Sequence, residues 1–297
     1  MKSLIMNIGE FRMHLDPLKR GISGALWGQG YREPAFMWIL KQEAKGKLGL
    51  DVGANLGYVT LSMCKGMDNI IAIEPDERPR KLLKKNIKEN NFSQKTKIFK
   101  FAVSNKGGTE TIYLSKKHPN LNNLCNNKSL KKNKDFLKEK TVKTKTIDSL
   151  NIDPNFIKMD IEGYEVEAIQ GAYGTLKRSE DCKLLIEVHP QFYNKDRDFS
   201  PVLENLFNMG YRVKYIVSAG CEHPDLYKEK GYSPIKVFND GDHRRGLFKD
   251  VKQEDAINFC CQGHKQKYLS RDDYNKVIEK ETKKIARSIL LVKKNKI

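Results

Sequence analysis

The sequence predicts an α/β protein, a mostly parallel sheet with helices crossing between its strands. Three observations predict it. A short apolar run ending in an acid, LGLDV (48–52), leads straight into a glycine-rich turn, GANLG. A second run, NIIAI (69–73), ends at Glu74 and Pro75. Helix-forming stretches follow each run, so strand and helix alternate as in crossover units.

The elements follow in order. YVTLSMCKG (58–66) can form the first crossover helix, and 77–91 the second, with Leu82, Leu83 and Ile87 apolar, Lys84 and Lys88 on one solvated face and Pro79 in the first turn. TKIFKFA (96–102) alternates like a strand. Gly107 and Gly108 mark a turn before a possible edge strand, TETIYLS (109–115). Residues 116–140 are rich in Lys and Asn and read as an exposed insertion. TVKTKTI (141–147) reads as a returning strand and NFIKMD (155–160) as another. A helix over 164–177 carries Val166, Ile169, Ala172 and Leu176 on one period. KLLIEV (183–188) reads as a buried strand, 200–209 as a helix and YRVKYIV (211–217) as a strand. Residues 219–245 read as a long loop and 253–261 as a helix. Ser270 and Asp273 form a capping-box-like start to a last helix reaching about 292, with Tyr274, Ile278, Ile285 and Ile289 on one stripe. This gives an N-terminal segment (1–45) over the site, a central domain (46–218) and an extension (219–297) that completes the sheet and ends in a basic helix.

The 297 residues carry 55 Lys+Arg against 37 Asp+Glu, a formal charge of +18. The excess is concentrated in 78–100, 116–145 and 276–296; the rest is net acidic. A basic chain suggests a polyanionic partner, but these segments lack interleaved aromatics, and the (N/D)PP(Y/F) signature of base amino methylation is absent. Nucleic acid is therefore the weaker expectation. A peripheral anionic surface met through 116–145 and 276–296 is the stronger one, with membrane association of the last helix as a variant of it. No apolar run approaches a membrane span. The N-terminus lacks the apolar core of a secretory signal, which predicts a cytoplasmic protein. The six cysteines, at 64, 125, 182, 221, 260 and 261, have no metal spacing and read as reduced thiols.

DVGANLG (51–57) is the most informative stretch. Gly53 allows a tight turn and Gly57 a close approach to the backbone. The glycine spacing differs from the GxGxxG that cradles a pyrophosphate. Asp51 at the strand end would repel a pyrophosphate and attract an ammonium group. Glu74, ending the second strand, stands where a carboxylate accepts hydrogen bonds from ribose hydroxyls. Together they argue for S-adenosylmethionine in a class I methyltransferase fold.

A second constellation begins at Lys158. Lys158 and Asp160 share one face of a strand, Glu162 and Glu165 follow at a helix start, and Glu187 and His189 share a face of the next strand. A histidine among acids is a reasonable general base for a hydroxyl. Asp160, Glu187 and His189 are also divalent-metal ligand types, but no spacing signature assigns a metal.

DVGANLG, IEP (73–75), AVS (102–104), TIDSL (146–150), FIKMDIEGYE (156–165) and IEVHP (186–190), in this order, resemble the FkbM-type methyltransferase family. DPLKRGISGALWGQGYREPAF (16–36) resembles the region preceding the first motif there. The resemblance covers roughly 14–193. It implies a seven-stranded class I sheet with an antiparallel last strand, and O-methylation of a hydroxyl on a sugar, glycan or secondary metabolite. Carried over, Asp51, Gly53, Ala54, Asn55 and Gly57 would line the methionine end of the cofactor, Glu74 would hold the ribose, and Ala102 and Ser104 would flank the adenine. Asp160 would lie nearest the methyl group and Glu33 would close over the site. Asp160, His189, Glu187, Lys158 and Glu162 are the catalytic candidates.

Overall fold

A computed structural model describes residues 3–115, 136–241, 243–261, 263–270 and 273–293, with the backbone alone for 136–138, 263–270 and 273–284. Apolar runs too short for helices become the sheet. β3 (Gly46–Val52), β4 (Met67–Ile73), β5 (Thr96–Phe99), β9 (Phe156–Met159) and β10 (Lys183–Glu187) are parallel neighbours in the spatial order β10-β9-β3-β4-β5. Their runs are apolar on both faces because helices cover both.

The crossover helices fall where the sequence places them. α3 (Tyr58–Cys64) and α4 (Glu77–Glu89) follow β3 and β4. Asp76 caps α4, accepting a hydrogen bond from the Arg78 N–H. With α2 (Pro34–Glu43) and the hairpin of β1 (Leu4–Ile8) and β2 (Phe11–Leu15), they bury one face of the sheet. The opposite face is covered by α5 (Glu165–Gln170), α6 (Tyr173–Arg178), α7 (Ser200–Asn208) and α9 (Gln253–Cys261). The helix expected over 164–177 is thus two. The first ends before Gly171, where a Cβ would lie 2.1 Å from the Ser104 carbonyl oxygen, and the second begins at Tyr173. α1 (Ile22–Gln29) precedes α2, and α8 (Asp225–Glu229) precedes the sheet's far edge.

The expected strand over 96–102 divides into β5 and β6 (Ala102–Val103). β6 joins β7 (Gly108–Ser115) and β8 (Phe136–Lys145) in a separate three-stranded sheet. The returning strand therefore begins inside the expected insertion, and residues 116–135 of that insertion lie outside the described residues.

Two expectations for the C-terminal extension are overturned. The loop expected over 219–245 contains α8, β12 (Lys236–Asp240) and the start of β13 (His243–Lys249). Asp240 pairs with His243, and Gly241, at φ +61°, lies in the turn between the two strands. Polar residues along these strands hide the alternation. The basic helix expected over 270–292 is absent: β14 (Gly263–Ser270) and β15 (Asp273–Lys284) form a hairpin in which Ser270 pairs with Asp273, and β16 (Ala286–Lys293) enters the main sheet. The spacing of Ile285 and Ile289 mimicked a helical stripe. The decisive signal is the unbroken run Ile289–Val292, buried on both faces as a central strand requires.

β16 lies between β10 and β11 (Tyr211–Ser218), antiparallel to both. β13 and β12 extend the sheet beyond β11, giving nine strands where seven were expected. Residues 286–293, within the segment 276–296, lie inside the sheet, and β8 keeps Lys143 and Lys145 exposed. Among the described residues no helix is long and apolar enough to cross a membrane, and Cys64, Cys182, Cys221, Cys260 and Cys261 are free thiols, of which Cys64, Cys182 and Cys260 are buried.

Leu291→Ala tests the placement of β16. Leu291 is fully buried, and its truncation should cost about 2–5 kcal/mol by urea denaturation, far more than the same change on a solvated helix.

Candidate active site

The parallel strands bring four loops to one edge of the sheet, in the spatial order of β10, β9, β3 and β4. These carry Glu187 and His189, then Asp160 and Glu162, then the 53–57 loop, then Glu74. In open α/β sheets ligands bind at this edge.

Asp51 and Lys158 are register partners on β3 and β9. Lys158 Nζ lies 3.1 Å from Asp51 Oδ1, and both side chains are buried. Thr60 Oγ1 donates to Asp51 Oδ2 at 2.6 Å, and Lys158 Nζ donates to the Gly53 carbonyl at 2.8 Å. Burial works against the charge on Lys158, but Asp51 and Asp160 beside it hold its pKa above the ordinary value. Asp51 therefore faces into the sheet rather than lining the cavity, and Lys158 acts as a brace beneath the loop.

Above this brace, Gly53 adopts φ +79°, and a Cβ there would sit 2.0 Å from the Asp160 carbonyl oxygen. Only glycine allows the two loops to approach so closely. Asn55 also has positive φ, and its N–H donates to Glu74 Oε2 at 2.9 Å. The Asp76 N–H donates to Glu74 Oε1 at 2.8 Å. Burial, and to a lesser extent Asp76, push the Glu74 carboxyl up to about 7, against the two N–H donors and Arg80. Gly57 begins α3 against Leu83.

On the other side, His189 gathers four carboxylates. Its Nδ1 lies 2.8 Å from Glu165 Oε1; its Nε2 lies 3.4 Å from Glu162, 3.4 Å from Glu187 and 3.9 Å from Asp160. Glu165 is fully buried and accepts further bonds from the Gly163 N–H and the Tyr193 hydroxyl, both at 3.1 Å. Burial alone would raise its pKa; His189 and the Gly163 N–H outweigh that and hold it low. Asp160 is pushed up by burial and then by Glu187, partly offset by Lys158 and His189.

A solvent-open cavity joins the two halves. Of the sequence-predicted residues, Glu33, Gly53, Ala54, Asn55, Glu74, Ala102, Lys158, Asp160, Glu162 and Glu187 line it. Asp51, Gly57, Ser104 and His189 stand behind the lining. Ser104 is fully buried, its N–H donating to the Lys145 carbonyl. Glu33 precedes α2 with positive φ, and its carboxylate meets Arg287 of β16. Arg287 also pairs with Glu187 at 2.9 Å. Arg287 and Arg32, both lining the cavity, were missed in the sequence: the first was assigned to a surface helix, and the second carries no motif of its own.

Comparison with curated protein sequences gives no match. Among solved structures, similarity is found to the methyltransferase FkbM from Methylobacillus flagellatus KT, at 18% identity over 69% of this chain and 44% of that one, TM-score 0.38. This chain thus spans less than half the length of that protein. Trm5b from Pyrococcus abyssi is 13% identical over 84% of this chain and 55% of that one, TM-score 0.38. TrmK of M. capricolum in complex with S-adenosyl-homocysteine is 12% identical over 74% and 69%, TM-score 0.34. The sequence profile of the methyltransferase FkbM domain matches residues 51–213, more than half of the chain. This protein belongs to the FkbM methyltransferase family, and its cofactor is S-adenosylmethionine.

Proposed function

We propose that the protein methylates a hydroxyl of a polar, polyhydroxylated acceptor such as a sugar or glycan. The single observation that carries this reading is the split character of the cavity along the sheet edge. Its β3–β4 side offers Gly53, Ala54 and Asn55, the Glu74 carboxylate and apolar residues such as Ile73, Pro79 and Val103; its β9–β10 side offers Asp160, Glu162, Glu187 and Arg287.

The first side fits the cofactor. Glu74 already has both oxygens fixed by backbone N–H groups, and each oxygen keeps a further lone pair for a ribose hydroxyl. Asn55 and the glycine turn bring bare backbone to the ligand. Ala102 and the apolar wall suit a base. Bound there, S-adenosylmethionine supplies an electrophilic methyl group carried on a sulfonium. Glu33 closes the N-terminal segment over the site through Arg287, which also makes 1–45 part of it.

The second side fits the acceptor. Asp160 lies between the two halves and is the cavity-wall group placed to accept the hydroxyl proton, with His189 behind it. Much of the acceleration comes from holding oxygen and methyl in line. The lining carries Glu33, Glu74, Asp160, Glu162 and Glu187 against Arg32, Lys158 and Arg287. That excess of carboxylates favours a neutral hydroxyl compound over a polyanion such as RNA.

Transfer of a radiolabelled methyl group to a panel of nucleotide sugars and cell-wall glycans tests the acceptor class; label passing to RNA alone would overturn it. Asp160→Ala should lower turnover about 10²–10⁴-fold, with S-adenosylhomocysteine binding by calorimetry largely kept. The ionised form of Glu74 is the better ribose acceptor. Because its carboxyl titrates near pH 7, affinity for S-adenosylhomocysteine should fall as pH drops from 8 to 6, and Glu74→Gln should flatten that slope.

A further inference from the structure

Asp160, Glu162 and His189 come from two loops and meet at one point. Each offers one ligand atom, and these atoms lie within 4.8 Å of one another. An ion bound at the usual distances of about 2.1–2.4 Å leaves just such separations between its ligands. His189 is buried, and its ring is not free to turn. Glu165 holds Nδ1 and is itself held by Gly163 and Tyr193. That fixes Nε2 toward Asp160 and Glu162, the way a carboxylate outside a metal site orients a ligating histidine.

Charge supplies an independent reason. Four carboxylates surround this one imidazole, while Lys158, beside Asp160, is shared with Asp51 and Arg287 is shared with Glu33. Glu187 is paired with Arg287. A divalent cation would offset the negative charge gathered at this point.

We propose that Asp160, Glu162 and His189 form a binding site for one divalent cation, with its open side toward the cavity. Two carboxylate oxygens and one imidazole nitrogen suit Mn²⁺, with Mg²⁺ as the harder alternative. Asp160 and Glu162 line the cavity and His189 is buried beside them, so oxygens of the acceptor complete the coordination. Adjacent hydroxyls, as on a sugar ring, are the chemical class that fills two neighbouring positions. This last step rests on the methyltransferase reading; the cation site itself does not.

The test is Mn²⁺ titration of the EDTA-stripped full chain, following the electron paramagnetic resonance signal of free Mn²⁺, with S-adenosylhomocysteine affinity measured in parallel. One equivalent of Mn²⁺ should bind. Glu162→Gln should weaken it at least ~10-fold and Glu165→Gln by roughly 10–100-fold, both with S-adenosylhomocysteine affinity retained as proof of folding. No Mn²⁺ binding by a chain that binds S-adenosylhomocysteine would overturn the site and leave the methyltransferase reading standing. Binding unchanged in Glu162→Gln would also overturn it. Binding of Mn²⁺ without S-adenosylhomocysteine would uphold the cation site and remove the acceptor argument.

Discussion

The buried pair between Asp51 and Lys158 is the interaction on which the site depends. It crosses from β3 to β9 in register and is roofed by the Gly53 carbonyl. Two buried charges of this kind add little net stability over an apolar pair. What they fix is position. Lys158 ties the end of β3 to β9, so the cofactor loop and the Asp160 loop are set against each other before any ligand arrives. Removing one partner would strand the other as a buried charge, and the floor of the cavity would go with it.

Around that floor the chain sorts its charge. Basic residues accumulate in 78–100, 116–145 and 276–296, whereas the cavity gathers carboxylates. The total of +18 therefore says little about the chemistry of the cavity. Arg287 is the exception, a cation from a basic segment brought inside. Its guanidinium joins Glu33 of the N-terminal segment to Glu187 of β10, so three distant stretches of sequence meet on one side chain.

The parts legible in the sequence were those governed by local rules. DVGANLG and Glu74 announced a strand, a turn and an acceptor because glycine and strand-end acids have few other uses there. The placement of Asp160, Glu187 and His189 follows from strand periodicity, and that of Glu162 from the turn that comes next. Side-chain direction was less accessible. The carboxylate of Asp51 pairs with Lys158, six strands later in the chain, a contact no local pattern announces. Glu165 looked like a helix-start acid, yet its carboxylate belongs to His189. The strand at 286–293 was misread because its apolar residues serve both faces of a sheet, which a single-face helical template imitates. Arg287 was lost with it.

The position of β16 has a consequence for how the protein is made. β10 and β11 do not pair with each other; each pairs with β16, which comes later in the chain. On the ribosome, both strands emerge with open edges and stay so until residues 286–293 have been synthesised. The half of the sheet that carries the Glu187 and His189 loop is thus assembled last, by long-range closure, the slow kind. A nascent chain stalled before that point would hold a finished cofactor loop beside an unpaired strand edge, the form most exposed to misassociation and to a chaperone's grip.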